Sequence, residues 1–291
     1  MMSKFADTLS SGKFVVTSEL NPPKGTDLTA LFDKATALKD YVDAFNLTDC
    51  HNARMRISPI AVAHLLLDQG VESIVQMTTR DRNRIGLQAD MLAASALGVS
   101  NLVFMGGDPP KVGDHPDAKP VFDVFSSALL SIASGLQAGR DMSGNELKGT
   151  PEFCLGAVVN PGSSKMDDEI ENMKRKIDGG ARFFQTQAIY EANAFQKFIE
   201  ILPDGYFALL AGVIPIKSVK MARYMNEKVP GIDIPESIIQ EIADAEDVSA
   251  KSVEIAARTI KEIKAMCQGV HIMAIGWESK IPQILEAADI R

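Results

Sequence analysis

The sequence predicts an α/β fold, a (β/α)8 TIM barrel. Short apolar runs alternate with longer stretches of helical periodicity along almost the whole chain. About eight such units can be counted, the number that closes a barrel when crossovers are right-handed. Several runs are nearly continuous in apolar residues, as parallel strands covered on both faces must be. A length of 291 residues suits one such domain spanning 1–291. A doubly wound open sheet is disfavoured, because no Gly-x-Gly-x-x-Gly turn follows the first run.

The expected strands are Lys13–Ser18, Ala44–Thr48, Ser73–Thr78, Asn101–Met105, Phe153–Val159, Arg182–Thr186, Phe207–Val213 and Val270–Ala274. Helices between them show recognisable ends. Leu28, Leu31, Phe32, Ala35 and Leu38 recur at helical spacing after Thr26-Asp27, a suitable cap. Ser58-Pro59 begins a helix with a cap and an N1 proline, and Gly70 follows its end. Asn83 to Leu97 stops at Gly98, and Lys165 to Asp178 stops at Gly179-Gly180. Ala138 to Pro151 is polar and reads as a loop on the amino-terminal side of a strand. Pro230 to Cys267 is too long for one crossover, and helix starts at Pro235 and Asp247 predict extra helices before the last strand.

Composition excludes several function classes. The chain is 46% hydrophobic and 23% charged, ordinary for a globular protein with a large core. A formal net charge of −8 without a Lys/Arg cluster argues against nucleic acid. Neither a signal peptide core nor a bilayer-length apolar run is visible, so the expectation is a soluble cytoplasmic protein without membrane association. Cys50, Cys154 and Cys267 are too widely spaced to suggest a disulfide framework or a metal knuckle, and no metal site is expected.

In barrels of this kind chemistry sits at the carboxyl ends of the strands. Those positions hold Glu19, Thr48-Asp49, Thr78, Gly106-Gly107-Asp108, Asn160, Gln185-Thr186-Gln187 and Pro215. The run Val103–Met105 discharges into Gly106-Gly107-Asp108-Pro109-Pro110, two glycines that admit close approach beside a lone carboxylate with a stiff exit. An ordinary turn would use the same residue types. Glu19 stands at a strand exit before Asn21-Pro22-Pro23, where an apolar wall would raise its pKa and suit it to general acid work. The alternative is a surface carboxylate in a loop. Gln187 carries an amide that suits a heterocycle edge or a cap on its own loop. His51 beside Cys50 reads as loop, and His64 as packed. Thr79 to Arg84 opens a helix with arginines suited to an anion, although a solvated, self-paired charge run explains them as well.

Taken together these residues resemble the methylenetetrahydrofolate reductase family over nearly the whole chain. The stretches that carry the resemblance are Glu19-Leu-Asn-Pro-Pro23, Thr78-Thr-Arg-Asp-Arg-Asn-Arg84, Gly107-Asp-Pro-Pro110, Lys174 to Ala181, Gln185-Thr-Gln187 and Gly212-Val-Ile-Pro215. Gly113-Asp-His-Pro116 and Ala118 to Asp123 are similar to the short, single-domain bacterial form. The resemblance implies reduction of 5,10-methylenetetrahydrofolate to 5-methyltetrahydrofolate in one-carbon metabolism and methionine biosynthesis. A flavin, usually FAD, would pass a hydride from NAD(P)H to the one-carbon unit. Glu19 matches the family acid that protonates the folate nitrogen and opens the ring to an iminium. Asp108 matches an aspartate near flavin and pterin, and Gln187 a glutamine on the pterin or nicotinamide edge. Thr48, Asp49, Gln76, Gly106, Gly107, Asn172 and Lys176 fall at flavin-contacting positions, with Lys176 the partner for a pyrophosphate.

Departures from the family pattern are Val158-Val159-Asn160-Pro161 for a tyrosine and histidine, Gln76 for a histidine, Met221 and Met225 for a substrate glutamine and phenylalanine, and Trp277 for an arginine. They leave open FMN or no flavin in place of FAD, and an accessory electron-transfer subunit as donor. A homo-oligomer is expected. The rival readings are a methyl-transfer subunit that binds folate and works with a corrinoid partner, a flavin-independent reductase, a non-catalytic scaffold subunit, and a barrel enzyme acting on a phosphate substrate.

Overall fold

The computed structural model describes residues 3–291, in which eight parallel strands close on themselves in chain order. They are β1 (Val15–Leu20), β2 (Ala44–Leu47), β3 (Ser73–Thr78), β4 (Asn101–Met105), β5 (Cys154–Val159), β6 (Phe183–Ala188), β7 (Ala208–Val213) and β8 (Gly269–Ile272). The ring is sealed by β8 against β1, in register from Val15↔Gly269 to Ser18↔Ile272. The (β/α)8 barrel expected from the sequence is therefore the observed fold. Strand limits move by up to two residues, and one shift matters. Glu19 lies inside β1, paired in register with Asn46 of β2, rather than in the loop beyond.

Helix α1 (Lys4–Ser10) precedes the barrel and is an addition to the expected elements. Helices α2 (Thr29–Leu38), α3 (Pro59–Leu67), α4 (Arg84–Ala96), α5 (Ser126–Gln137), α6 (Met166–Asp178), α7 (Ala192–Glu200) and α8 (Val219–Lys228) follow β1 to β7 in turn. The extra helices expected before the last strand are α9 (Glu236–Ala243) and α10 (Val248–Ile263), and α11 (Ile281–Ala287) follows β8. Local chemistry sets the ends. The Asn83 side chain accepts from the amides of Ile85 and Gly86 to start α4, and Asp247 does the same for Ser249 and Ala250 at α10. Asp27 accepts from the Thr29 amide at the start of α2. The stretch from Ala138 to Pro151 is a loop folded around the Asp141 carboxylate, with one bridge between Arg140 and Glu146.

Three apolar clusters hold the molecule. The main one fills the layer between strands and helices. A second belongs to the extra helices, where Ile238, Ile239 and Ile242 of α9 meet Ile255 of α10 and Met225 of α8. The third lies in the barrel's amino-terminal half and joins Val15, Ala44, Ile74, Val103, Phe183, Ala208 and Leu210 to Phe5 of α1. Phe5 is a plug: its ring meets Phe183 edge-on at 5.2 Å. Room for Phe183 comes from Gly156 of β5, where a Cβ would stand 2.2 Å from that ring. Side chains alternate across a strand. Two residues further along β1, β2, β3, β6 and β8 the inward positions are polar, and there the site begins.

Candidate active site

Above the apolar plug, β1, β2, β6 and β8 turn Thr17, Asn46, Gln185 and His271 into the lumen, all buried. Asn46 Nδ2 donates to Gln185 Oε1 at 2.7 Å, and Gln185 Nε2 donates back to Asn46 Oδ1 at 3.0 Å. Thr17 Oγ1 lies 2.9 Å from His271 Nδ1. The other imidazole nitrogen, Nε2, faces Glu19 Oε1 at 3.7 Å. Glu19 also accepts from Gln76 Nε2 of β3 at 3.3 Å. Glu19 thus ends a polar column built by five strands. The sequence led one to expect a raised pKa; burial does push it up, but the net shift is the opposite. The imidazole of His271 and its charge, the charge of His51 and the Gln76 amide together outweigh burial and hold it below the ordinary 4.5.

Over Glu19 opens a cavity of about 490 Å³, within the size range of small-ligand sites. Its wall includes Glu19, Gln76, Gln187, Asn172 and Lys176 from the expected set, joined by His51 and His271. Asn172 and Lys176 are four residues apart and so share a face of α6. Lys176 is buried and donates to the Val158 carbonyl at 2.6 Å, which uses one of three ammonium protons. Burial pushes its pKa down, partly offset by the nearby Glu169 carboxylate. Gln187 sits in a bulge of β6, where pairing with β7 slips between Gln185 and Ala188. Bulges re-aim side chains beside active sites. This one turns the Gln187 amide oxygen onto the Ala188 N–H at 3.0 Å. Among the described residues its amide nitrogen has no hydrogen-bond partner. A Cβ on Gly212 of β7 would stand 2.4 Å from the Thr186 carbonyl, so only glycine admits the bulge.

The remaining expected residues lie at the same end of the barrel but outside the cavity wall. Thr48 Oγ1 donates to Asn21 Oδ1 at 2.9 Å. Asp49, expected at the flavin, is already engaged by the Thr78 amide at 2.8 Å, the Thr78 hydroxyl at 3.0 Å and the Arg82 guanidinium. It acts as a clamp between loops. Gly106, Gly107 and Asp108 form the turn after β4, and the Asp108 carboxylate is exposed. Gly107, at φ +86°, lies against Thr78, where an added Cβ would come within 3.0 Å. The arginine run is self-paired but only partly solvated: Arg80 is 2% exposed and bonded to Asp81 at 2.6 Å, Arg82 pairs with Asp90 at 2.9 Å, and Arg84 with Asp123 at 2.7 Å. These partners leave little for an anion.

Sequence reasoning missed His271 and took His51 for plain loop. A histidine in the middle of Gly269–Ile272, a strand buried on both faces, was the available signal. His51 is presented by a distorted turn in which Cys50, Asn52 and Ala53 all have positive φ, a conformation that is strained for side-chain-bearing residues. The turn is braced from across the mouth. Asp114 accepts from Lys24 at 2.7 Å and from the Met55 amide at 3.0 Å, tying the loops after β1, β2 and β4.

Comparison with known proteins agrees with this architecture. The family model described as methylenetetrahydrofolate reductase matches residues 4–289. Methylenetetrahydrofolate reductase 1 of Schizosaccharomyces pombe is 21% identical over 94% of this chain, which spans only 46% of that protein's length. The 5,10-methylenetetrahydrofolate reductase of Pectobacterium carotovorum is 22% identical over 76% of this chain and 75% of its own. Among solved structures, an uncharacterised protein from Clostridium thermocellum, described as binding two copies of 5-methyl-5,6,7,8-tetrahydrofolic acid, has the same fold. It superposes with a TM-score of 0.64 and 18% identity, covering 99% of both chains. Since the family match runs from α1 to the end of the barrel, the chain belongs to the methylenetetrahydrofolate reductase family.

Proposed function

We propose that this protein reduces the methylene group of 5,10-methylenetetrahydrofolate to a methyl group, with Glu19 as proton donor. The observation that carries the reading is the place of Glu19. It is a mostly buried carboxyl at the floor of a ligand-sized cavity, held between Gln76 and His271, in a chain of this family. The reaction consumes one hydride from NAD(P)H and one proton. A C–N bond of the five-membered ring breaks as the nitrogen takes the proton, and the hydride forms the new C–H bond at the resulting iminium carbon.

In the open site Glu19 is ionised at neutral pH. A pterin that covers the cavity displaces water and strengthens the burial that raises its pKa, so the carboxyl takes up a proton as the site fills. Gln76 fixes the direction in which that proton is presented. The free amide nitrogen of Gln187 meets the edge of the heterocycle. Asp108 adds negative charge on the turn after β4, whose Met105 lines the cavity, and favours a cationic one-carbon intermediate.

Two residues of the cavity wall also suit a flavin. Lys176 keeps two ammonium protons free of protein partners, and the Asn172 amide stands one helical turn away on the same face, a pair suited to a polyol and its phosphate. When bound, FAD or FMN would supply the relay of hydride from nicotinamide to folate.

Glu19→Gln tests the reading. Folate reduction should fall by about 10²–10⁴-fold, the usual worth of a general acid. Oxidation of NAD(P)H by an artificial acceptor should be retained. Equal loss of both half-reactions would refute the acid role. A wild-type protein that binds 5-methyltetrahydrofolate but oxidises no NAD(P)H in the presence of added flavin and methylenetetrahydrofolate would favour methyl transfer instead.

A further inference from the structure

We propose that Lys217 and Trp277 hold the glutamate end of the folate on the rim of the cavity, Trp277 packing against the p-aminobenzoyl ring and Lys217 pairing with a glutamate carboxylate. The proposal rests on the reading of Glu19 as the acid that meets the pterin end.

A folate is long, with pterin, benzoyl ring and a glutamate of two carboxylates in line. With the pterin over Glu19, the remainder must leave the cavity across its rim. Glu19 belongs to β1, and the neighbouring strand β8 runs on into Met273, which lines the cavity. The chain then turns tightly, and the Trp277 amide closes the turn on the Ala274 carbonyl at 3.0 Å. Trp277 therefore follows the cavity wall by four residues. Lys217 comes from the loop after β7, the strand paired with β8 on its other side. Its Nζ lies 5.3 Å from the centroid of the indole ring and donates to the Ile275 carbonyl.

The charge of Lys217 is not matched within the protein. Its ammonium uses one proton on the Ile275 carbonyl and keeps two. Among the described residues it has no carboxylate at ion-pair distance, although the chain carries a net charge of −8. Burial pushes its pKa down, partly offset by Glu278. That carboxylate is itself engaged, accepting from the Gly276 amide at 2.9 Å and pairing with Lys34 at 3.1 Å. The backbone beside it is strained. Ile275 has φ +50°, an outlier for a β-branched residue, and its side chain is half exposed. Strain of this kind persists where the surrounding structure imposes it, often at ligand sites. Here it carries the Ile275 carbonyl to the ammonium, next to the indole. Elsewhere around the mouth cations are committed: Arg80, Arg82 and Arg84 are paired with carboxylates, and Lys176 is buried in the wall.

Trp277 is the one tryptophan of the chain, so its fluorescence reports the rim directly. The protein is titrated with 5-methyltetrahydrofolate and with 5-methyltetrahydropteroate, the same molecule without its glutamate. Both should quench Trp277, and the folate should bind about tenfold tighter, the usual strength of a hydrogen bond to a charged group. The difference should shrink as salt is raised. In Lys217→Met the folate should bind only as well as the pteroate, whose retained binding shows that the variant folds. Lys217→Arg should keep most of the preference. Equal affinity of the wild type for the two ligands, or a loss in Lys217→Met that is the same for both, would overturn the proposal and leave the reaction standing. So would a Lys217→Met variant that weakens NAD(P)H binding instead, since the cation would then serve a nucleotide phosphate. Tail-dependent folate binding without NAD(P)H oxidation would support the rim site and overturn the reaction. No binding of either ligand would overturn both.

Discussion

At the scale of single residues, Glu19 is set by opposed effects: burial raises its pKa, and His271, His51 and Gln76 lower it further than burial can raise it. The sign of the net shift gives a prediction. A carboxyl whose folded pKa lies below its unfolded one contributes stability above the unfolded value, here 4.5, and loses it as pH falls through the folded value. The stability difference between wild type and Glu19→Gln should therefore move in the wild type's favour between about pH 3 and pH 7. Urea unfolding at the two pH values checks this, and a constant difference would mean that Glu19 is not held ionised. The sequence made Glu19 legible because an acid beside a proline-rich strand exit is out of place in a core. His271 was hidden by the same strand logic, as one polar residue among apolar neighbours. Gln185 was visible as part of a polar strand end, but its partner Asn46 was not, since which neighbour it meets depends on strands far away in the chain.

Among elements, the bulge in β6 shows how a backbone irregularity serves the site. It turns Gln187 onto its own loop, and Gly212 of the adjoining strand makes the space. Gly212→Ala should destabilise the protein by about 1–3 kcal/mol, as overpacking does. It should also weaken folate binding more than removal of a distant methyl-sized space would. Denaturant unfolding and a folate titration of the same variant measure the two effects. The regular elements were legible from the sequence, since apolar runs, caps and terminal glycines are local signals. The bulge was not, because Gln185-Thr-Gln187 gives no local sign of a slipped register. The arginine run was read only in outline. Its pairing was foreseen, but the burial of Arg80 beneath the turn after β4 depends on tertiary packing.

For the whole molecule, stability and chemistry occupy opposite ends of one barrel. The amino-terminal half is apolar and stoppered by Phe5, whereas the carboxyl-terminal half carries the polar layer and the cavity. Phe5→Ala should cost about 3–5 kcal/mol, the usual penalty for emptying a buried aromatic site. Ligand dissociation constants measured well below the melting temperature should stay the same. A matching loss of ligand affinity would show that the two ends are coupled. Helix α1, which brings Phe5, escaped the sequence reading because seven residues with only two large apolar side chains, Phe5 and Leu9, carry little periodic signal.

The seam between β1 and β8 has one more consequence. Glu19 belongs to the first strand made and His271 to the last, so the acid and its histidine partner are separated by nearly the whole span of synthesis. At about 5–20 residues per second the ribosome needs some tens of seconds to travel between them. During that time the nascent chain holds a carboxylate with no histidine beside it. Truncation anywhere before the last strand would take His271 away from Glu19 and leave the barrel unclosed at the same stroke.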